Sequence, residues 1–285
     1  MSRMSRKILP ALAILTVLCA LPFLTRSGDA APPASGGAGG PVVLELFTSQ
    51  GCSSCPPADK LLTRLAQDPK LQGRVIPLSF HVDYWDYIGW QDPFASPRWS
   101  ERQRDYGRAF RSNRIYTPQL VVNGKTECVG SHEAVVRKQI AAALAATPAG
   151  RVTLETAPAG ADGRLSVRVG AEMAQTAVAG NLDLWVVVWE TGLETPVGAG
   201  ENASRKLHND YVVRRLEKAL TLPGKAGARE TGEIVLGLDK RWKRGNLGVA
   251  AFLQDPATRV IHGAAYSTRI SYVSTGSRLP PSAMP

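Results

Sequence analysis

Residues 42 to 57 read Val-Val-Leu-Glu-Leu-Phe-Thr-Ser-Gln-Gly-Cys-Ser-Ser-Cys-Pro-Pro, so a strand-like apolar run leads directly into two cysteines and a pair of prolines. Proline is favoured in the first turn of a helix, so we predict that a helix begins here. A cysteine at such a position lies near the positive end of the helix dipole, which lowers the pKa of its thiol. We therefore predict a redox pair in which Cys52 is the nucleophile and Cys55 resolves the mixed disulfide.

Two other roles for this C-x-x-C motif stay open at this point. The cysteines could form a stable disulfide that closes a tight loop, or they could supply two zinc ligands. No second C-x-x-C or C-x-x-H follows at the spacing of a zinc finger, so we predict no metal site and no cofactor. Cys128 lies in a predicted hairpin strand and is expected to behave as a small buried hydrophobe, with a regulatory or intermolecular thiol as the alternative.

The N-terminal segment 1–30 has the composition of an export signal. Basic residues precede an apolar run from Ile8 to Leu24, and small residues lead up to a predicted cleavage site after Ala30. The apolar run is about seventeen residues long, so an uncleaved membrane anchor is the alternative, and only that alternative implies contact with a membrane. Export predicts a periplasmic or secreted protein, in a compartment where disulfides persist.

The formal net charge of +10 does not by itself indicate a nucleic-acid partner. Six arginines are clustered between Arg98 and Arg114, but Glu101 and Asp105 interrupt them. Because an exported protein seldom meets DNA, we interpret this cluster as a solvated helix face and predict no nucleic-acid binding.

The chain is predicted to contain a flexible leader (31–40), a first domain (41–147), a second domain (151–275) and a disordered tail (276–285). In the first domain, apolar periodicity and the Asn123-Gly124 turn signal predict the order β-α-β-α-β-β-α. In the second domain, short strand-like runs are separated by Gly, Pro and Asn, which is typical of an antiparallel β sandwich.

The C-x-x-C motif together with Thr117-Pro118 before the hairpin resembles the thioredoxin superfamily. The resemblance implies an α/β thioredoxin-like domain over residues 41–147, with a cis Pro118 facing the dithiol and Thr117 as a residue that docks the substrate. The stretches at 45–59 and 81–86 resemble, more narrowly, an exported thioredoxin-like family known as domain of unknown function 1223.

His81 and Asp83 end the strand that is expected to lie beside the one leading to Cys52. If the two strands are parallel, both side chains approach the sulfurs, so we name them as candidate proton shuttles. His81 could instead complete a Cu(I) site with the two cysteines, or it could simply close a hydrogen bond at the end of the strand.

These observations predict an exported thiol-disulfide oxidoreductase that acts on protein thiols or disulfides. Its partners would be exported protein substrates and an electron-transfer partner. Two alternatives from other classes stay open: a periplasmic copper metallochaperone, and a non-catalytic thioredoxin-like module that binds through the aromatic residues between Phe80 and Tyr116.

Overall fold

The structure is a computed structural model that describes residues 40–112, 114–174 and 177–272. The predicted signal 1–30 with its cleavage site, all of the leader except Gly40, and the tail 276–285 lie outside the described residues. Within the described ranges, no helix combines the length and the apolar character that spanning a membrane requires.

The first half of the chain contains the predicted β-α-β-α-β-β-α order. Its elements are β1 (Val42–Thr48), α1 (Pro56–Gln67), β2 (Val75–His81), α2 (Pro97–Ala109), β3 (Gln119–Val122), β4 (Thr126–Val129) and α3 (Glu133–Ala145). Strands β1 and β2 are parallel, β3 is antiparallel to β1, and β4 is antiparallel to β3. Both β1 and β2 are buried along their whole length, as expected of strands that are covered on both faces.

The second half, from residue 150 onward, is formed by strands. They are β5 (Gly150–Thr156), β6 (Arg164–Met173), β7 (Asn181–Glu190), β8 (Leu193–Pro196), β9 (Lys206–Asn209), β10 (Val212–Pro223), β11 (Arg229–Gly237), β12 (Leu247–Gln254) and β13 (Ile261–Ser267). Strands β11, β6 and β5 form a small antiparallel sheet, and among the described strands β8 pairs only with β9.

The predicted fold class, an α/β thioredoxin-like domain followed by a separate antiparallel sandwich, is wrong. Strands from both halves form one mixed eight-stranded sheet in the order β13-β12-β7-β10-β2-β1-β3-β4. The two halves join where β10 pairs in parallel with β2 at Val212 and Ser79, and the Ser79 amide donates to the carbonyl of Tyr211 at 2.8 Å. β10, a strand of the second half, therefore pairs with the side of β2 that would otherwise be an unpaired sheet edge.

The two faces of β1 and β2 carry different cores. On one face, which we call the α1 face, Leu44 and Leu46 pack with residues of α1 and α3. On the other, the α2 face, Phe47 and Phe80 pack with Trp99 of α2 in a core that continues to β7 and β12. At the C-terminal ends of β1 and β2, Thr48 and His81 are register partners.

Candidate functional site

The C-x-x-C motif forms a disulfide between Cys52 and Cys55, with the two Cα atoms 5.5 Å apart. Cys55 is the N-cap residue of α1, and prolines occupy the next two positions. The amide of Cys55 donates to the carbonyl of Cys52 at 3.2 Å, and the hydroxyl of Ser54 lies 3.3 Å from the Cys52 sulfur. Both cysteines are 0% exposed. The predicted redox pair is therefore at the start of a helix, but it is covered.

The segment between β8 and β9, residues 197–205, which we call the lid loop, is hydrogen-bonded to the backbone around Cys52. The buried Asn202 amide group donates to the carbonyls of Gln50 and Cys52, each at 2.9 Å. The Glu201 carboxylate accepts from the amide of Ser53 at 2.8 Å. Hydrogen bonds from the Ser53 side chain and amide lower the pKa of Glu201 below its ordinary value. The lid loop thus binds the backbone on both sides of Cys52.

Residues 49–55, which carry the C-x-x-C motif between β1 and α1, are called the cysteine loop below. Within it, Gln50 connects to the two strands that carry the lid loop. Its Nε2 donates to Thr195 Oγ1 at 3.0 Å and to Asn209 Oδ1 at 2.9 Å. Its Oε1 accepts from the indole N–H of Trp90 at 3.2 Å. One buried side chain therefore holds β8, β9 and the loop after β2 against the C-x-x-C motif.

His81 forms a buried ion pair with Asp92, a residue of the loop after β2. Nδ1 of His81 lies 2.7 Å from Oδ2 of Asp92, and the same carboxylate oxygen accepts from the amide of Gln50 at 2.8 Å. Burial lowers the pKa of His81, but the charge and hydrogen bond of Asp92 outweigh it, so the net pKa is raised. For Asp92 the effect of burial is opposed by the charge of His81, and its net pKa is lowered.

Four buried polar side-chain atoms on the α1 face, among those the structure describes, have no hydrogen-bond partner. They are Thr48 Oγ1, Asp59 Oδ1, Ser79 Oγ and His81 Nε2. Burial raises the pKa of Asp59 to about 6, against the opposing influences of the His81 charge and of the nearby Thr48 hydroxyl, whose oxygen does not meet hydrogen-bond geometry. The amide of Asp59 donates to the carbonyl of Cys55 at 3.1 Å, one helical turn earlier. We call Thr48, Asp59, Ser79, His81 and Asp92 the α1-face cluster.

Asp83 does not join His81, although the two were predicted together. The hydroxyl of Ser100 in α2 donates to the carboxylate of Asp83, and the amide of Asp83 donates back to that hydroxyl at 3.1 Å. Side chains two positions apart along an extended segment face the same side, but β2 ends at His81 and the chain turns there. Asp83 therefore anchors the N-terminal half of α2.

The peptide bond between Thr117 and Pro118 is cis. The indole N–H of Trp85 donates to Thr117 Oγ1 at 2.7 Å. Trp85 also lies against the residue before Cys52, because a Cβ added to Gly51 would come within 3.1 Å of the Trp85 Cβ. Thr117 is thereby connected through one tryptophan to the cysteine loop.

A family model described as protein of unknown function, DUF1223, matches residues 43–254. The chain belongs to this family. No curated protein matches this DUF1223 member.

Two solved structures resemble this DUF1223 protein over most of its length. A structural genomics protein from Agrobacterium tumefaciens is 27% identical, with a TM-score of 0.59, over 84% of this chain and 97% of that chain. HBP35 of Porphyromonas gingivalis is 15% identical, also with a TM-score of 0.59, over 87% of this chain and 82% of that chain. At that identity the second likeness shows the fold alone.

Cys128 of this DUF1223 protein lies on β4, opposite Leu120 and away from the lid loop's contacts. It is half-buried, and burial raises the pKa of its thiol to about 11. A thiol with so high a pKa is almost entirely protonated at neutral pH and is a poor nucleophile.

Several residues of the site were not identified from the sequence. Asp59 lies in the first turn of α1, where a carboxylate favours the helix dipole, yet the helix start has no side-chain capping hydrogen bond. The sequence does contain a signal for Asp59: it follows Cys55 by four positions, so in a helix the two residues lie on the same face. Gln50, Asp92 and Asn202 carry no such signal, because the hydrogen bonds from Gln50 to Asp92, from Asn202 to Cys52 and from Gln50 to Asn209 join residues 42, 150 and 159 positions apart.

Proposed function

We propose that this protein is an exported thiol-disulfide oxidoreductase that exchanges the Cys52–Cys55 disulfide with thiols or disulfides of other exported proteins. The observation that carries the proposal is the position of the disulfide. It precedes α1, one helical turn before Asp59, whose amide donates to the Cys55 carbonyl and whose carboxyl pKa is raised by burial to about 6. Perturbed carboxyl groups next to a reactive pair are typical of catalytic sites. Export remains a prediction from the N-terminal segment, and it agrees with a compartment in which disulfides persist.

The exchange proceeds in two displacements. A substrate thiolate attacks the sulfur of Cys52, a bond forms between these sulfurs, and the bond from Cys52 to Cys55 breaks. Cys55 leaves as a thiolate and takes up a proton. A second substrate thiolate then attacks the substrate sulfur of the mixed disulfide and releases Cys52 as a thiolate. Two electrons pass from the substrate dithiol to the cysteine pair, and the reverse sequence reduces a substrate disulfide.

Asp59 is the group best placed to exchange a proton with Cys55. Its pKa of about 6 leaves a protonated fraction of roughly a tenth at pH 7, far more than an ordinary aspartate retains. The unpaired atoms Thr48 Oγ1 and His81 Nε2 belong to the same cluster, and they offer further positions for a mobile proton or an ordered water. We assign Asp59 as the proton donor to the Cys55 thiolate.

Thr117 is the proposed docking residue. Among the described residues, neither its amide nor its carbonyl forms a hydrogen bond, so both are free to pair with an extended substrate segment. The β-α-β-α-β-β-α order of the first half and the cysteine pair at a helix start support membership of the thioredoxin superfamily, which we include in the proposal, with strands of the second half added to the same sheet.

The test is an equilibrium titration of the purified protein with glutathione buffers, in which alkylated thiols are counted by mass spectrometry. We expect one reversible two-electron transition with a midpoint between about −270 mV, which indicates a reductant, and about −120 mV, which indicates an oxidant. Cys128→Ser is the matched control and should leave the midpoint unchanged, whereas Cys52→Ser should abolish the transition. A pair that becomes reduced only when the protein unfolds would overturn the proposal.

Full burial of both cysteines favours one other candidate, a non-catalytic binding module in which the disulfide only fastens the loop. That role predicts that a double Cys52→Ser, Cys55→Ser variant still binds its protein partner. The oxidoreductase proposal predicts that the double variant loses every trapped mixed disulfide with partner proteins.

A further inference from the structure

A disulfide can be exchanged only when an attacking sulfur reaches one of its own sulfurs along the S–S axis. In this protein both cysteines are 0% exposed, and the lid loop binds the backbone on both sides of Cys52. The closed arrangement therefore protects the disulfide from any thiol in solution. Exchange requires that part of the structure move.

We propose that the lid loop is a gate over the disulfide and that Asn202 is the latch that holds it closed. The inference concerns the regulation of the exchange site and so rests on the proposed function. Opening the loop exposes Cys52 to a substrate thiol, and closing it protects the disulfide between encounters.

The lid loop is built to move separately from the large sheet. Among the described strands, its flanking strands β8 and β9 pair only with each other, and the Gln50 side chain holds them near the C-x-x-C motif through Thr195 and Asn209, outside the loop itself. Within the loop only Val197 and Asn202 are buried, so little apolar surface holds it down. Segments with few buried apolar contacts open at low free energy while the rest of the fold stays intact.

Hydrogen bonds inside the lid loop preserve its shape when it lifts. The amide of Val197 donates to the carbonyl of Arg205, and the amide of Ser204 donates to the carbonyl of Val197, each at 2.9 Å. The Arg205 guanidinium donates to Asn202 Oδ1 at 2.9 Å, which fixes the Asn202 amide with its N–H groups toward the cysteine loop. The loop is therefore a preformed unit, and the Asn202 bonds to the Gln50 and Cys52 carbonyls are the contacts that must break.

Trp90 supports the other side of the lid loop. A Cβ added to Gly200 would come within 3.0 Å of Ile88 Cδ1 and 3.3 Å of Trp90 Cβ, and one added to Gly198 would lie 3.5 Å from the Trp90 ring. These glycines let the loop approach Ile88 and Trp90 closely. The contact of the two glycines with Ile88 and Trp90 is steric and apolar. The directional hydrogen bonds of Asn202 are therefore the contacts that we call the latch.

The experiment measures how fast dithiothreitol reduces the disulfide in the folded protein, with acid quenching, alkylation and mass-spectrometric counting. Asn202→Ala removes the latch, and we expect its second-order rate constant to be at least about tenfold higher than wild type, as expected when two hydrogen bonds of ordinary strength are lost. Asn246→Ala is the matched control, because Asn246 also donates to a backbone carbonyl, that of Thr191, but does not touch the lid loop. Its rate should equal that of wild type.

Circular dichroism melts establish that each variant is folded. If Asn202→Ala does not fold, Glu201→Ala replaces it, since it removes only the exposed bond to Ser53 and should raise the rate by a smaller factor. If the folded lid-loop variant, Asn202→Ala or its replacement Glu201→Ala, is reduced by dithiothreitol at the wild-type rate, the gate proposal is overturned. The reduction potential, measured on the same samples, separates the two proposals. A normal potential with an unchanged rate rejects the gate alone, whereas an irreversible pair with an increased rate rejects the oxidoreductase and leaves the gate standing.

Discussion

Two buried polar clusters lie on opposite faces of the sheet at β1 and β2. On the α2 face, Arg102 donates to the carboxylate of Glu45 at 3.0 Å, and Gln254 of β12 donates to Tyr106 Oη at 2.9 Å. Arg102 also donates to Tyr106 and to Gln254, so each member of this cluster is bonded to another member. On the α1 face, by contrast, Thr48, Asp59, Ser79 and His81 each have an atom without a partner.

The difference shows that burial of charge alone does not mark a reactive site. The α2-face cluster is fully paired and joins β1, α2 and β12, so its role is to hold the fold together. The α1-face cluster is incompletely paired and lies next to the disulfide, where spare donors and acceptors can serve proton transfer. Incomplete pairing, rather than burial, distinguishes the two.

The largest expected effect comes from Arg102→Met. It leaves the Glu45 carboxylate buried without its partner, and we expect a loss of about 3–5 kcal/mol in the free energy of unfolding, measured by urea titration. The double variant with Glu45→Leu should recover most of this loss, because no unpaired charge remains. A loss below about 1 kcal/mol in the single variant would contradict a structural role for the α2-face cluster.

Asp59→Asn should change how stability depends on pH. Burial raises the pKa of Asp59 from 3.8 to about 6, so the unfolded chain ionises first and wild type loses stability as pH rises from about 4 to about 6. Asparagine does not ionise, so the variant does not lose stability in this way. The free energy of unfolding of the variant minus that of wild type should therefore rise by up to about 3 kcal/mol between about pH 4 and about pH 6. Urea titrations at pH 4, 5, 6 and 7 measure the difference. A difference that is flat with pH would place Asp59 outside the buried cluster.

Gln254→Met tests a neutral member of the paired cluster. Its amide donates to Tyr106 Oη and to the carbonyl of Arg259, so replacement leaves buried polar atoms unpaired. We expect a loss of about 1–3 kcal/mol in the free energy of unfolding, with no change in the midpoint of the disulfide. A shifted midpoint would mean that the two faces are coupled.

The smallest effect is expected for Ser79→Ala on the α1 face. The hydroxyl is buried without a partner, so its removal should leave stability unchanged or increase it by up to about 1 kcal/mol. Because neither serine nor alanine titrates in this pH range, the difference from wild type should also be independent of pH, which makes this variant the control for Asp59→Asn. A clear destabilisation would show that an ordered water pairs with Ser79.

Local structure could be predicted from the sequence where local chemistry decides it. The hairpin β3–β4 flanks the predicted Asn123-Gly124 turn, because both residues there have positive φ. The strand-like run that begins at Val42 forms β1, Val42–Thr48. The cysteine pair was recognised because a strand, two cysteines and two prolines are adjacent in the sequence.

What could not be predicted depends on contacts between distant segments. Apolar alternation identified strands in the second half, but it carries no information about which edge they pair with, and so β10 was not expected beside β2. The same holds for the site. Asp92 and Asn202 are polar residues in loops, and only the folded arrangement places them against His81 and Cys52.

The position of the lid loop in the chain imposes an order of events on biosynthesis. Asn202 follows Cys52 by 150 residues, so a chain made from its N-terminus presents both cysteines long before their cover exists. The pair meets oxidants and reductants in the open during that interval. Once residues 197–205 are in place, exchange requires the lid loop to open, so the newly made chain should equilibrate with its surroundings faster than the folded molecule does.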